Sequence, residues 1–245
     1  MTYCLGIRVK EGLVCLADGR LTSGMQAHSA GKVSMHRIGA HEICIMTSGL
    51  RSIRDKALAY FDDICKQDGE CHQPLLRNVL HYYTKALRQV ADEDWDALQR
   101  SNLRFDLHAL IGGQLEEDET PSMYLVYPEG NWIEMNERTI YMTIGATPFG
   151  KPFLDRTLRY ETPLETVIKI AYLSFDSTRV STVDVGYPID ILSFAYDRNW
   201  RHALYEYDDM ASLYQWWNEH LRDLIAKLPD KNKFKPLLPK KKTGP

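Results

Sequence analysis

The sequence lacks the marks of a disulfide-stabilised or metal-binding protein. Its cysteines number five, which is odd, and include no C-x-x-C pair. Such usage favours reduced, mostly buried thiols over a disulfide framework or a zinc site. The eight histidines show no H-E-x-x-H spacing either, so we expect no metal and no organic cofactor. The cysteines are Cys4, Cys15, Cys44, Cys65 and Cys71.

Long apolar runs and a strong charge of either sign are also missing. The N-terminal stretch has no basic start, continuous apolar segment or small-residue cleavage site, and no later run approaches the roughly 20 apolar residues of a membrane helix. The formal net charge is −3, which gives no reason to expect nucleic acid as the main partner. We therefore expect a cytoplasmic protein, bound to neither membrane nor nucleic acid, with a peptide or small-molecule substrate.

Strand and turn signals dominate the first quarter of the chain. The turn-forming residues Lys10-Glu11-Gly12 separate two apolar runs, and Gly39-Ala40-His41 separate two more. A short turn between two strand-like runs predicts a β-hairpin in each case. We therefore predict four strands, at residues 2–9, 13–18, 33–38 and 43–48.

The hydrophobic period then changes to that of helices. Apolar residues recur at helical spacing in two consecutive long segments and again in two segments nearer the C-terminus, with three strand-like runs between these pairs. Strands, two helices, strands and helices again predict an α+β protein, a four-layer αββα sandwich. The helical segments begin near Arg51, Leu75, Leu164 and Met210, and the strand-like runs cover residues 105–111, 122–127 and 139–144.

Length and composition predict one folded domain followed by a tail. With 245 residues and 44% apolar content, the chain is long enough for one substantial core. We assign this domain to residues 1–228. Residues 229–245 are rich in proline and lysine, which predicts an extended or disordered basic tail.

Thr2 is a candidate nucleophile because of its position. A threonine hydroxyl is a weak nucleophile, and placing it on the first residue allows the free α-amine to act as its base. Threonine is small enough that removal of Met1 should expose it, and an α-amine has an ordinary pKa of about 7.7 to 8.0. Because many sequences begin with Met-Thr, this position alone does not establish catalysis.

Asp18, Lys32 and Gly49 could complete such a site. Asp18 ends the apolar run from Leu13, where a buried carboxylate needs a cationic partner, and Lys32 could supply that charge. Its ammonium would favour the deprotonated hydroxyl and amine of Thr2. Gly49, at a strand-to-helix corner, could offer its N–H to a developing oxyanion. The simpler interpretations are a turn aspartate, a solvated lysine and a strand-exit glycine.

Taken in order, these motifs resemble those of proteasome β-subunits and of bacterial HslV. The spacing between the motifs nearly matches, and no single one of them is specific by itself. The resemblance implies the fold of N-terminal nucleophile hydrolases. The motifs are Thr2, the strand end Ala17-Asp18-Gly19-Arg20, Gly31-Lys32-Val33, and Ser48-Gly49 before a helix.

Three further segments most closely resemble Anbu, the bacterial ancestral β-subunit branch of that family. They are Met-Thr-Tyr-Cys at the start, GATPFGKP at residues 145–152 and SFDST at residues 174–178. The resemblance extends from Thr2 to about Asp190. It implies self-association into a ring-like or helical homo-oligomer.

The resemblance also implies a role for each matching residue. Thr2 is similar to the family's nucleophile, Gly49 to its oxyanion-hole glycine, and Asp18 and Lys32 to its buried acid and lysine.

Asp176 and Ser181 resemble the family's distal aspartate and serine, which orient the N-terminal amine. Without the resemblance they are a polar helix end and a loop residue. Two departures stand out. The spacing from Thr2 to Lys32 is shorter than usual, and Gly145-Ala146-Thr147 replaces the usual serine after a glycine.

The expected function is that of a threonine-type peptidase or amidase acting by acyl transfer through Thr2. The alternative is a non-proteolytic ring or helical assembly or binding protein with the same fold, and a small-molecule amidase is a third possibility. Trp216 and Trp217 are adjacent and cannot both face one side of a helix. At least one of them is therefore expected to be exposed or in a subunit contact.

Overall fold

The computed structural model describes residues 2–23, 26–29, 31–67 and 73–229. The chain separates into two compact units, one ending at Glu206 and the other beginning at Tyr207. Residues 230–245, which make up most of the predicted tail, lie outside the described residues, as does Cys71. The predicted domain boundary at residue 228 therefore stays a prediction.

Within the described residues, the first unit contains two large sheets, a short hairpin and four helices, and the second contains one helix. In chain order the elements are β1 (Tyr3–Val9), β2 (Gly12–Asp18), β3 (Arg20–Ser23), β4 (Gln26–Ser29), β5 (Val33–Ile38), β6 (His41–Gly49), α1 (Arg51–Gln67), α2 (Leu76–Arg100), β7 (Leu107–Gly113), β8 (Ser122–Val126), β9 (Trp132–Glu134), β10 (Tyr141–Gly145), α3 (Lys151–Thr157), α4 (Leu164–Ser181), β11 (Ile189–Phe194), β12 (Trp200–Tyr205) and α5 (Tyr207–Ala226).

Both large sheets of the first unit are antiparallel. The first sheet has the order β10-β1-β2-β11-β12, and the second has the order β5-β6-β7-β8-β9. Strand β2 lies in the middle of the first sheet, and all of its residues are buried. This burial explains why its sequence is a continuous apolar run, since one face packs on the second sheet and the other on α4.

The two sheets pack face to face between layers of helices. Cys15 of β2 and Cys44 of β6 belong to the apolar core between the sheets, while Phe61 of α1 and Tyr83 of α2 belong to the core beneath the second sheet. Helices α3 and α4 pack together, and α4 covers β1 and β2 of the first sheet. The predicted four-layer αββα sandwich is therefore confirmed.

The two predicted hairpins are present with almost the predicted bounds. Gly12 is the residue that closes the first of them, with a φ of +147°, and a Cβ there would lie 1.9 Å from the carbonyl oxygen of Phe194. Only glycine allows this approach of β2 to the end of β11. The predicted helices after residue 51 and around residue 210 are also present.

The prediction of four strands in the first quarter is wrong, because a short hairpin of β3 and β4 follows β2 and brings the number described there to six. Each of its strands has four residues, which gives too few alternations for a recognisable pattern. The sequence analysis also did not predict β9, α3, β11 or β12. Among the described residues, no helix is both long and apolar enough to cross a membrane.

Candidate active site

Thr2 lies directly before β1, and backbone hydrogen bonds hold both Thr2 and the residue after it. Its carbonyl oxygen accepts a hydrogen bond from Ala146 N–H at 2.7 Å. The next residue, Tyr3, donates its N–H to Asp18 Oδ1 at 2.7 Å. Thr2 is half-buried, so part of the residue is reachable from solvent.

Gly145, the last residue of β10, lies against the backbone carbonyl of Thr2. Its φ is +91°, and a Cβ at this position would lie 1.8 Å from the carbonyl oxygen of Thr2. Both facts require glycine here. The following residues contribute backbone hydrogen bonds, from Ala146 N–H to Thr2 and from Thr147 N–H to Gly145 O at 2.9 Å.

Asp18, the last residue of β2, and Lys32, which directly precedes β5, form a buried ion pair. Lys32 Nζ lies 2.6 Å from Asp18 Oδ1 and donates a second hydrogen bond to Arg20 O at 2.8 Å. The lysine side chain is 3% exposed and the aspartate side chain 0% exposed. The sequence-based expectation that a buried carboxylate at the end of β2 needs Lys32 as its partner therefore describes this contact.

The environment of Asp18 acts on its pKa in two opposite directions. Burial raises the pKa of its carboxyl above the ordinary value, because a charge is poorly solvated in the interior. The charge and hydrogen bond of Lys32 and the Tyr3 N–H act to lower that pKa. The ionised carboxylate therefore depends on Lys32 for most of its compensation.

Lys32 is held by the second sheet and by α1. Its carbonyl oxygen accepts from Thr47 N–H of β6 at 3.1 Å, which extends the pairing of β5 with β6 by one residue. The preceding Gly31 O accepts from Arg54 of α1 at 2.9 Å, and Arg54 also binds Asp55. The second sheet and α1 thus position Lys32, whose side chain binds Asp18 of the first sheet.

Gly49 is exposed at the end of β6, two residues before the first residue of α1. A Cβ at Gly49 would lie 1.8 Å from Asp106 O, and the φ is +143°. The neighbouring Leu50 N–H also donates to Asp106 O, at 3.2 Å. Close approach of the two chain segments is enough to require glycine, and the assignment of the Gly49 N–H to an oxyanion stays a prediction.

Asp176 and Ser181 lie in the last two turns of α4 and bond within that helix. Asp176 Oδ1 accepts from Arg179 at 2.7 Å, and Arg179 also lies over the ring of Tyr187. Ser181 Oγ donates to Ser177 O at 2.8 Å and is exposed. These contacts give no support to the orienting role that the resemblance implies, which stays a prediction.

A buried hydroxyl chain beside Thr2 was missed by the sequence analysis. Ser174 Oγ lies 2.7 Å from the Tyr3 hydroxyl and donates to Gly150 O at 3.1 Å. Because the serine proton goes to Gly150, the Tyr3 hydroxyl donates to Ser174. Burial raises the pKa of Tyr3, so its hydroxyl stays protonated. This chain ties β1 to α4 through the residue that follows the candidate nucleophile. Ser174 and Gly150 lie in two segments quoted for the resemblance to Anbu, which is the signal that could have pointed to them.

The described part of the chain contains no cluster of three or more His, Cys, Asp or Glu side chains that could hold a metal ion, at this site or elsewhere. The nearby Cys4 is buried, and burial raises the pKa of its thiol. Its thiol donates weakly to Thr47 O at 3.7 Å. Cys4 is thus a packing residue rather than a second nucleophile.

Comparison with known proteins identifies the family of this chain. A family model described as a proteasome subunit matches residues 2–194. The chain belongs to the proteasome subunit family. Among curated proteins, proteasome subunit beta 2 of Pyrobaculum islandicum is 25% identical over 197 residues, which cover 78% of this chain and 90% of the relative.

Solved structures of Anbu resemble the whole fold. The helical assembly of the Anbu complex from Pseudomonas aeruginosa has a TM-score of 0.85 and 26% identity, and the match covers 93% of this chain and 97% of that one. A Gly-1 mutant of Anbu from Hyphomicrobium sp. strain MC1 has a TM-score of 0.84 and 27% identity, with 93% and 98% covered. The chain is therefore similar to the ancestral β-subunit branch within its family.

Proposed function

We propose that this chain is a threonine-type N-terminal nucleophile hydrolase, which cleaves peptide or small amide bonds through Thr2 once Met1 has been removed. The observation that carries the proposal is the double use of Asp18 Oδ1, which binds both Lys32 Nζ and the N–H directly after Thr2. This one buried oxygen thereby links Lys32 to the first residue of β1, which directly follows Thr2. Membership of the proteasome subunit family supports the same chemistry.

The proposed reaction is an acyl transfer in two halves. In the first half, Thr2 Oγ bonds to the substrate carbonyl carbon while its proton passes to the free α-amine. The tetrahedral intermediate then expels the leaving amine, which takes that proton, and Thr2 carries the acyl group as an ester. In the second half, water attacks the ester, the α-amine again relays the proton, and the carboxylic acid leaves with Thr2 regenerated.

Lys32 supplies a fixed positive charge in this mechanism. Its burial weakens screening by water, so the charge acts strongly on neighbouring groups. It favours the ionised form of the Thr2 hydroxyl and the neutral form of the α-amine, which is the form that accepts a proton. Asp18 keeps the ammonium in place, and we assign the Gly49 N–H to the developing oxyanion.

The proposal includes self-association into a ring-like or helical homo-oligomer. The similar protein from Pseudomonas aeruginosa forms a helical assembly. Helix α5 adds a second argument, because its exposed side chains include Trp216, Leu221 and Leu224. Apolar groups in that number on one helix are typical of contacts between proteins.

Intact-mass measurement tests the proposal. The purified protein is weighed before and after exposure to a β-lactone, and the site of any adduct is located by peptide mapping. We expect loss of Met1 and one acyl group on Thr2. The Thr2→Ser variant keeps a hydroxyl and should still be labelled at residue 2, whereas Thr2→Ala should not.

Two results would contradict the proposal. Retained Met1 would leave Thr2 without a free amine, and a free but unlabelled Thr2 would show that the hydroxyl is not activated. Either result would favour the reading of the chain as an assembly or binding protein without turnover.

A further inference from the structure

Ser34, His36 and Asp62 form a hydrogen-bonded chain outside the Thr2 site. His36 Nδ1 lies 2.9 Å from Asp62 Oδ1, and His36 Nε2 lies 2.8 Å from Ser34 Oγ. Ser34 and His36 belong to β5, and Asp62 belongs to α1. A hydroxyl, an imidazole and a carboxylate in this order activate nucleophiles on many unrelated folds, and they are recognised by geometry rather than by chain position.

The direction of each hydrogen bond follows from the chemistry of the groups. An ionised carboxylate only accepts, so the contact with Asp62 places the proton of a neutral His36 on Nδ1. Nε2 then carries a lone pair and accepts from the Ser34 hydroxyl. The competing acceptor of that hydroxyl, Ile45 O, is 3.5 Å away, which makes Nε2 the better partner. Ser34 thus directs its proton to a base.

The position of the chain protects the base and leaves the hydroxyl reachable. Val33 and Met35 pack against the core between the sheets, and side chains alternate along a strand, so Ser34 and His36 face α1. The His36 ring packs edge-on against Phe61 at 5.3 Å between centroids, and its side chain is 10% exposed. Ser34 is half-buried.

A backbone donor lies directly after the serine. Strand β5 is at the edge of the second sheet. Ser34 is in register with Ile45 of β6, and the preceding bonded pair is Lys32 with Thr47. Bonded pairs recur every second residue in an antiparallel ladder, so the Met35 N–H points away from β6 toward the edge. An N–H in that direction can approach the carbonyl oxygen of a molecule that reaches Ser34.

We propose that Ser34 is a second nucleophile of this protein, with His36 as its general base and Asp62 as the positioning residue, and that it takes small carboxylic esters. Ser34 Oγ bonds to the ester carbonyl carbon as its proton passes to His36 Nε2. The C–O bond to the alcohol breaks, and the alcohol leaves with that proton. Water then hydrolyses the acyl-serine by the same relay, and the carboxylic acid is released.

Two features of the site select this substrate class. Ser34 is half-buried on the side of β5 that faces α1, which favours small molecules over a polypeptide as substrate, and an alcohol leaves more readily than an amine. The proposal does not depend on the Thr2 site, since Lys32 reaches across to Asp18 of the first sheet while Ser34 and His36 face α1.

A serine-directed fluorophosphonate tests the proposal in the full-length Thr2→Ala variant, in which the other nucleophile is absent. Peptide mapping is expected to place the phosphonyl group on Ser34. Adding Ser34→Ala should abolish this adduct, and adding His36→Gln should slow its formation about 100-fold, the usual contribution of a general base. Turnover of p-nitrophenyl acetate should fall in parallel.

Asp62 is tested against its neighbour on the same helix. Asp62→Asn should slow labelling of Ser34 and Asp62→Glu should restore part of the rate, while the exposed Asp63→Asn should label normally. Thermal unfolding checks that each variant is folded. Absence of the Ser34 adduct from folded Thr2→Ala protein would overturn the proposal, and equal labelling of Asp62→Asn and Asp63→Asn would overturn the role of Asp62.

Discussion

At the scale of single residues, the candidate site depends on one buried charge pair. Bringing an aspartate and a lysine out of water costs several kcal/mol per ion, and their mutual attraction and further hydrogen bonds offset that cost. Asp18 and Lys32 meet this condition in part, because Asp18 Oδ1 also accepts from Tyr3 N–H and Lys32 also donates to Arg20 O, while the buried Asp18 Oδ2 has no hydrogen-bond partner among the described residues. A pair built in this way is costly to break by removing only one partner.

We expect Lys32→Met to destabilise the protein by about 3 to 5 kcal/mol, because Asp18 would lose the cation that offsets the burial of its carboxylate. The pKa of Asp18 is already raised by burial, so it should rise further and favour the protonated acid. Urea unfolding measures the stability of the variant. Labelling of Thr2 by the β-lactone should also be lost in this variant. Lys66→Met, at a side chain that is 78% exposed, is the control and should change stability by less than about 0.5 kcal/mol.

The double variant Lys32→Met/Asp18→Asn separates folding from chemistry. Removing both charges should recover part of the stability and none of the labelling. Full labelling of the folded double variant would remove the pair from the proposed mechanism.

At the scale of elements, the position of Thr2 is set by the meeting of β1 and β10. Gly145 ends β10 with a positive φ, and its Cα faces the Thr2 carbonyl so closely that no side chain fits. The adjacent Ala146 N–H bonds to the same carbonyl. The strand pair therefore places the nucleophile through backbone atoms, in addition to the bond of Tyr3 N–H to the Asp18 side chain.

We expect Gly145→Ala to cost about 2 to 4 kcal/mol, since it combines a left-handed alanine with a backbone clash at the Thr2 carbonyl. Labelling of Thr2 should fall at temperatures where the variant is still folded, because the start of β1 must shift. Gly31→Ala is the matched control, as its nearest contact would be at an ordinary 3.7 Å. Thermal unfolding and labelling are measured together, and a stable, fully labelled Gly145→Ala protein would contradict this view of the site.

The elements that sequence reasoning predicted are those with strong local patterns. The hairpins on either side of Lys10-Glu11-Gly12 and Gly39-Ala40-His41 have clear turns, and α1 and α2 have long apolar periods. β11 and β12 were missed although β11 pairs with β2, because that pairing joins residues far apart in sequence. The seven-residue α3 is too short for a period to appear.

The contacts of the candidate site also divide into those that the sequence could predict and those that it could not. The contact of Asp18 with Lys32 could be predicted because a carboxylate at the end of an apolar strand demands a cation. The hydroxyl chain from Tyr3 to Ser174 could not, since both residues are compatible with ordinary packing and their contact arises only from the layering of α4 on β1. Asp176 and Ser181 came from the resemblance alone, and their hydrogen bonds lie within α4.

At the scale of the whole molecule, the proposed function includes self-association, and helix α5 is the candidate contact surface. In helix α5, Leu224 and Ile225 follow Leu221 at spacings of three and four residues, which places all three on one face of the helix. All three are exposed. Such a stripe is the seam that a second copy of the same helix can cover.

We expect Leu224→Lys to lower the molar mass of the oligomer in light scattering after size exclusion, because a charge in the covered stripe must be desolvated without a partner. Asp223→Lys introduces the same side chain one position earlier, about 100° around the helix and away from the stripe, and should leave the molar mass unchanged. Thr2 labelling in the dispersed Leu224→Lys protein then shows whether one chain suffices for the chemistry. If both variants keep the wild-type mass, α5 is not the contact, and the oligomer must form through the first unit.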